Sequence, residues 1–153
     1  MLRGGIHDMV ADDRFFVPPP PVLPFEGVPR GRPLVLALEA VLALNAVIAG
    51  VAFIARPDGS LLGMTAELLV HGPFSSFLVP GLLLAGVIGG LNTAGLVLTL
   101  RRSSWSRRAG LVAGVATVVF EIVESTMIPY SWLQPAVGLC GLAVTLASLA
   151  ARR

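Results

Sequence analysis

Four apolar stretches, each about as long as a membrane-crossing helix and parted by arginine-rich or turn-rich breaks, set the pattern of this chain. The first covers residues 33–55, opens on Pro33 where a helix tolerates proline, and stops at Arg56-Pro57-Asp58-Gly59. Its roughly 23 residues at 1.5 Å each reach roughly 34 Å, enough to cross a bilayer with a little tilt. The second covers residues 78–100 and ends at Arg101-Arg102. The third covers 109–128 and ends before Pro129, and the fourth, the shortest, covers 134–151 and ends at Arg152-Arg153. The pattern predicts an all-α integral membrane protein, an antiparallel four-helix bundle over residues 33–153.

Between the first two spans lies the one sizeable connection, residues 56–77. Ser60 or Asp58 can cap a helix start there, and Gly72-Pro73 is a helix stop, so a short surface helix is expected on the extracytoplasmic side. Leu61, Leu62, Leu68 and Leu69 would give it one apolar side, and Glu67 and His71, four apart, would lie together. Residues 1–32, with Asp8, Asp12, Asp13 and the run Pro18-Pro19-Pro20-Pro21, read as a disordered, Pro-rich cytoplasmic tail. Its proline run can form a polyproline II segment, more simply a stiff spacer than a docking motif.

Orientation follows from arginine. Arg30, Arg32, Arg101, Arg102, Arg107, Arg108, Arg152 and Arg153 fall on one side of the spans, and the other side has Arg56. Cytoplasmic flanks collect basic residues, so both termini are expected in the cytoplasm of a plasma membrane. Trp105 on the inner side and Phe74, Phe77, Tyr130 and Trp132 on the outer side suit interfacial aromatic belts.

Composition agrees: 55% of residues are hydrophobic and 13% charged, against about 25% charged in soluble proteins. All eleven basic residues are arginine and the net charge is +2, but they flank apolar segments instead of gathering on a soluble face, so no nucleic-acid partner is expected. The single cysteine, Cys140, lies within the fourth stretch and reads as a buried thiol. No catalytic, nucleotide-binding or metal motif is present, and no cofactor is expected.

Small residues mark where helices meet in lipid, because they let backbones approach. Glu39, Ala43, Ala46 and Gly50 share a face of the first span; Gly81, Ala85 and Gly89 repeat at four in the second. Gly110, Gly114 and Thr117 lead to Glu121 and Glu124 in the third, and Gln134, Gly138, Gly141, Thr145 and Ser148 trace one side of the fourth.

Within the spans the only carboxylates are Glu39, Glu121 and Glu124. Such groups are expensive in a membrane and count as functional-site hypotheses. Glu121 and Glu124 are three apart, and two close carboxylates in low dielectric cannot both ionise cheaply. The pair can carry protons, bind a cation, or hydrogen-bond structurally to Asn45, Asn92, Thr117 or Gln134. The candidate intramembrane site is therefore Glu121, Glu124, Asn45 and Asn92. Glu39, near the start of its span, is expected to pair with Arg101 or Arg108. Glu67 and His71 form a candidate outer-mouth site, two ligands at helical spacing being weak evidence for a metal.

The stretch Asp58-Gly59-Ser60-Leu61-Leu62-Gly63-Met64, followed by Gly72-Pro73-Phe74-Ser75-Ser76-Phe77-Leu78-Val79-Pro80-Gly81 and Gly89-Gly90-Leu91-Asn92, resembles a pattern in small, uncharacterised four-span membrane proteins of bacteria. The resemblance covers roughly residues 33–151. It implies a bacterial inner membrane and a loop that re-enters as the second helix at Phe77-Leu78-Val79-Pro80-Gly81, and it assigns no catalytic residue.

These readings favour an accessory or interaction protein with the bilayer, a protein partner or a second copy of itself as its partners. An oligomeric proton-coupled or small-solute transporter using Glu121 and Glu124 comes next, and a membrane enzyme or quinone-binding subunit last.

Overall fold

Helix α1, Arg32–Ala55, carries in its first turn Pro33, whose missing N–H would have had no helical partner, and it runs unbroken through 24 residues. In this computed structural model, residues 31–69 and 72–151 are described. The expected tail up to Arg30, with its proline run, and Val70, His71 and the terminal Arg152-Arg153 lie outside them, whereas Arg32, expected in the tail, is the first residue of α1. Arg56 leaves the helix because Pro57 disfavours helical backbone in the residue before it.

Helix α2 spans Leu78–Leu100, α3 spans Ser106–Met127 and α4 spans Leu133–Ala150. Each of the four is long and apolar enough to cross a membrane. Helix α3 begins three residues before the hydropathy boundary at 109, because Arg107 and Arg108 end an apolar run without ending a helix. Inside α2, Leu83–Gly89 forms π-helical turns in a stretch dense with glycine. Each helix packs on the next in the chain, and α4 returns to α1.

The expected single surface helix is instead two 3₁₀ turns, Ser60–Leu62 and Ala66–Leu69. Gly63, at φ +69°, turns the chain left-handed between them and breaks any continuous α-helix. The Asp58 carboxylate accepts from the Ser60 N–H at 3.1 Å and from its hydroxyl at 2.8 Å, and these bonds hold Asp58 below its ordinary pKa. The expected apolar side is divided: Leu69 is buried while Leu61 and Leu62 are exposed. The Phe77 N–H donates to Pro57 O at 2.8 Å, and the Phe53 and Phe77 rings stack 4.6 Å apart, so the connection is tied down onto α1. Gly59 closes the turn at φ +83°, where an added Cβ would meet the Phe77 ring and Met64 O at 2.9 Å. Gly59→Ala is therefore expected to lower stability by about 1–2 kcal/mol, read as a fall in melting temperature. An unchanged melting temperature would show that this turn carries no strain.

The distribution of side chains is inverted relative to a water-soluble protein. Glu39, Asn92, Thr117, Gln134 and Ser148 are buried, whereas Leu44, Ile48, Ile122, Leu139 and Leu146 are more than half exposed. Helices meet through small residues instead. A Cβ on Gly50 would stand 2.5 Å from Ala85 N and 2.7 Å from Gly81 O, and one on Gly81 would stand 2.9 Å from Gly50 O. Helices α1 and α2 thus touch backbone to backbone. Helices α3 and α4 do the same at Gly114 and Gly141, where a Cβ on Gly141 would reach Gly114 O at 3.2 Å.

Candidate functional site

The same close approach that brings the helices together encloses Glu39. Its helix face, with Ala43, Ala46 and Gly50, turns fully inward, and the residue has no exposed surface. Its carboxylate lodges between two glycines of neighbouring helices: a Cβ on Gly95 of α2 would stand 2.6 Å from Oε1, and one on Gly110 of α3 would stand 3.2 Å from it. Any larger residue at either position would occupy the carboxylate's place. The buried Thr99 of α2 and Ser148 of α4 complete the surroundings, Ser148 Oγ lying 2.6 Å from that same Cβ position on Gly110. The Thr99 hydroxyl is the side-chain group within reach of the carboxylate, and among the described residues no basic side chain pairs with it. The pairing expected with Arg101 or Arg108 is not made: both arginines are exposed, and Arg108 lies over the Trp105 ring at 4.8 Å.

Two other arginines close the end of the molecule beside Glu39. Arg32 donates to Thr99 O at 3.0 Å and to Leu100 O at 3.2 Å, and Arg107 donates from Nε to Ser148 O at 2.9 Å. The last carbonyls of a helix have no partner within it, and a guanidinium there satisfies them and opposes the helix dipole. The carbonyls they hold belong to the two residues whose hydroxyls flank Glu39.

A second polar layer lies further along the interior. Asn92 Nδ2 donates to Thr117 Oγ1 at 3.1 Å and to Ile88 O at 2.9 Å, and the Thr117 hydroxyl donates to Ala113 O at 2.9 Å. A third is formed by Glu121 and Gln134, whose Oε1 accepts from Ser131 N at 3.0 Å. Thr117 is seven residues beyond Gly110, and Glu121 is four beyond Thr117. The helical rise places them roughly 10 Å and roughly 16 Å from the Glu39 layer. Asn92 Oδ1, Glu121 Oε2 and Gln134 Nε2 are further buried polar atoms, and none has a hydrogen-bond partner among the described residues. They mark a polar axis through interior layers of the packed helices.

The residues expected to form one intramembrane site are dispersed. Asn92 lies on this axis, but Asn45 sits on the exposed face of α1, one residue from buried Ala46 and so turned about 100° away from it. Glu121 and Glu124, three apart, stay neighbours about 60° apart around the helix, but they open onto different spaces. Glu121 faces α4, lining an open groove with Ser125, Tyr130, Gln134 and Gly138. Glu124 faces α2 and lines a different cavity of about 390 Å³, whose other described walls are all apolar. Glu67 is exposed on a 3₁₀ turn, and no three metal-ligating side chains gather among the described residues.

Reading the sequence alone missed Gly95, Thr99 and Ser148 as neighbours of Glu39, and Arg32 and Arg107 as closures. The one signal was Ser148, already on the small-residue face of its helix. No protein-family model, curated protein or solved structure matches the chain.

Proposed function

We propose that the protein is a small proton-translocating carrier of the bacterial inner membrane, a four-helix bundle with its arginine-rich end in the cytoplasm, and that Glu39 is its proton-binding group. The inverted side-chain distribution supports membrane insertion, since lipid solvates Leu44, Ile48 and Leu146 whereas water would not. Arg32, Arg101, Arg102, Arg107 and Arg108 gather at one end with Trp105, while Tyr130 and Trp132 stand at the other, which supports the orientation.

The observation that carries the function is Glu39, a fully buried carboxylate with which no basic side chain pairs among the described residues. An acidic group buried inside a membrane protein without a basic partner is costly, and such groups mark functional sites. The group it can bind in so tight a notch is a proton, the smallest cation. Asn92, Thr117, Gln134 and Glu121 extend polar side chains from it toward the opposite end. A single four-helix unit is thin for a private pathway, and the working form is a homo-oligomer.

Proteoliposomes holding a trapped pH dye, driven by a valinomycin potassium potential, test this. Wild-type protein is expected to admit protons well above protein-free vesicles, and Glu39→Gln to return to the protein-free rate while keeping its melting transition. Folded wild-type protein that admits no protons would remove the carrier reading and leave an accessory role, sought by co-purification of a partner.

A further inference from the structure

We propose that the cavity between α2 and α3 binds a bilayer-dissolved amphiphile whose apolar body fills it and whose single cationic amine pairs with Glu124. Its volume, about 390 Å³, falls in the roughly 300–1,000 Å³ range of small-molecule sites. Leu83 and Val87, on the π turns of α2, form one wall, and Val119 and Phe120 of α3 the other. Phe74 and Phe77, which follow the 3₁₀ turns, close it at the end away from the arginine-rich one. Isolated π segments are uncommon and recur at functional sites, and this one lines the cavity.

Charge selects the occupant. Glu124 is the one ionisable group among the described lining residues, and none of the others is basic. An ammonium group matches that carboxylate in surroundings that screen it little, a neutral alcohol forfeits the charge, and a fatty acid is repelled. This site is separate from Glu39: amine binding stands or falls whether or not the protein moves protons.

Native mass spectrometry of the full chain in a non-ionic detergent, titrated with decylamine, decanol and decanoate, tests the assignment. One decylamine per chain is expected, bound at least about tenfold more tightly than decanol, with decanoate weaker than both. Glu124→Gln should bring decylamine down to decanol, and Glu124→Asp, which keeps the charge, should preserve the preference should the amide variant fold poorly. Ala116→Phe, narrowing the cavity, should weaken both ligands. Equal binding of amine and alcohol by the wild type would overturn the proposal. So would an amine preference that survives Glu124→Gln, or a co-purified phospholipid that none of the probes displaces.

Discussion

Gly50→Leu is expected to separate α1 from α2 and to cost about 3 kcal/mol or more, enough to abolish the cooperative melting transition of the purified protein. The atoms in the way are main chain: Ala85 N at 2.5 Å and Gly81 O at 2.7 Å from the first added carbon. A flexible side chain could swing aside, but backbone atoms move only if the helices part. Parting them would also disturb the stacked Phe53 and Phe77 rings, because Phe53 lies on the next turn of α1. Gly90→Ala is the matched control, since nothing lies within 4 Å of its added Cβ and its backbone is helical at φ −63°. It should stabilise by about 0.5–1 kcal/mol through the lower entropy of the unfolded chain. A Gly50→Leu protein that melts like wild type would refute the backbone contact between these helices.

Glu39→Met is expected to have the opposite sign, raising stability by about 1–3 kcal/mol and, on the proposed carrier reading, abolishing proton entry. Methionine has the unbranched reach of glutamate and fits the same notch, yet it brings no oxygen that needs a partner. Thr99 and Ser148 keep their backbone bonds to Arg32 and Arg107, so the end of the molecule stays closed. A residue whose work is structural would lose stability on replacement. Gain of stability with loss of function is the mark of a group held in place for its chemistry. A destabilised Glu39→Met protein would assign the carboxylate to structural support instead.

The helices were legible because hydropathy and arginine breaks act locally along the chain. The inward faces were legible too, since Glu39, Ala43, Ala46 and Gly50, like Gln134, Gly141 and Ser148, follow a period of 3.6 and are all buried. What escaped is pairing across helices. Glu39 looked like a headgroup residue because it lies seven positions into its span, and only Gly95 and Gly110 from two other helices reveal the notch that receives it. Asn45 looked inward because a polar group in lipid is costly, but it neighbours Ala46, whose place in the small-residue contact fixes the rotation of α1. The π turns left no trace except glycine density, and the surface helix was lost to one left-handed glycine, Gly63.

The inverted interior has a consequence for how this chain tolerates change. On the proposed membrane reading the exposed Leu44, Ile48, Leu139 and Leu146 face lipid and are interchangeable with any residue of similar oiliness, and a saturation screen should find those positions nearly silent. Replacement by the next larger residue should be poorly borne at Gly50, Gly81, Gly95, Gly110 and Gly114, where an added carbon meets a neighbouring helix. The heritable specification of this molecule is thus written mainly in its smallest letters, and drift in its greasy exterior can run far before its shape changes.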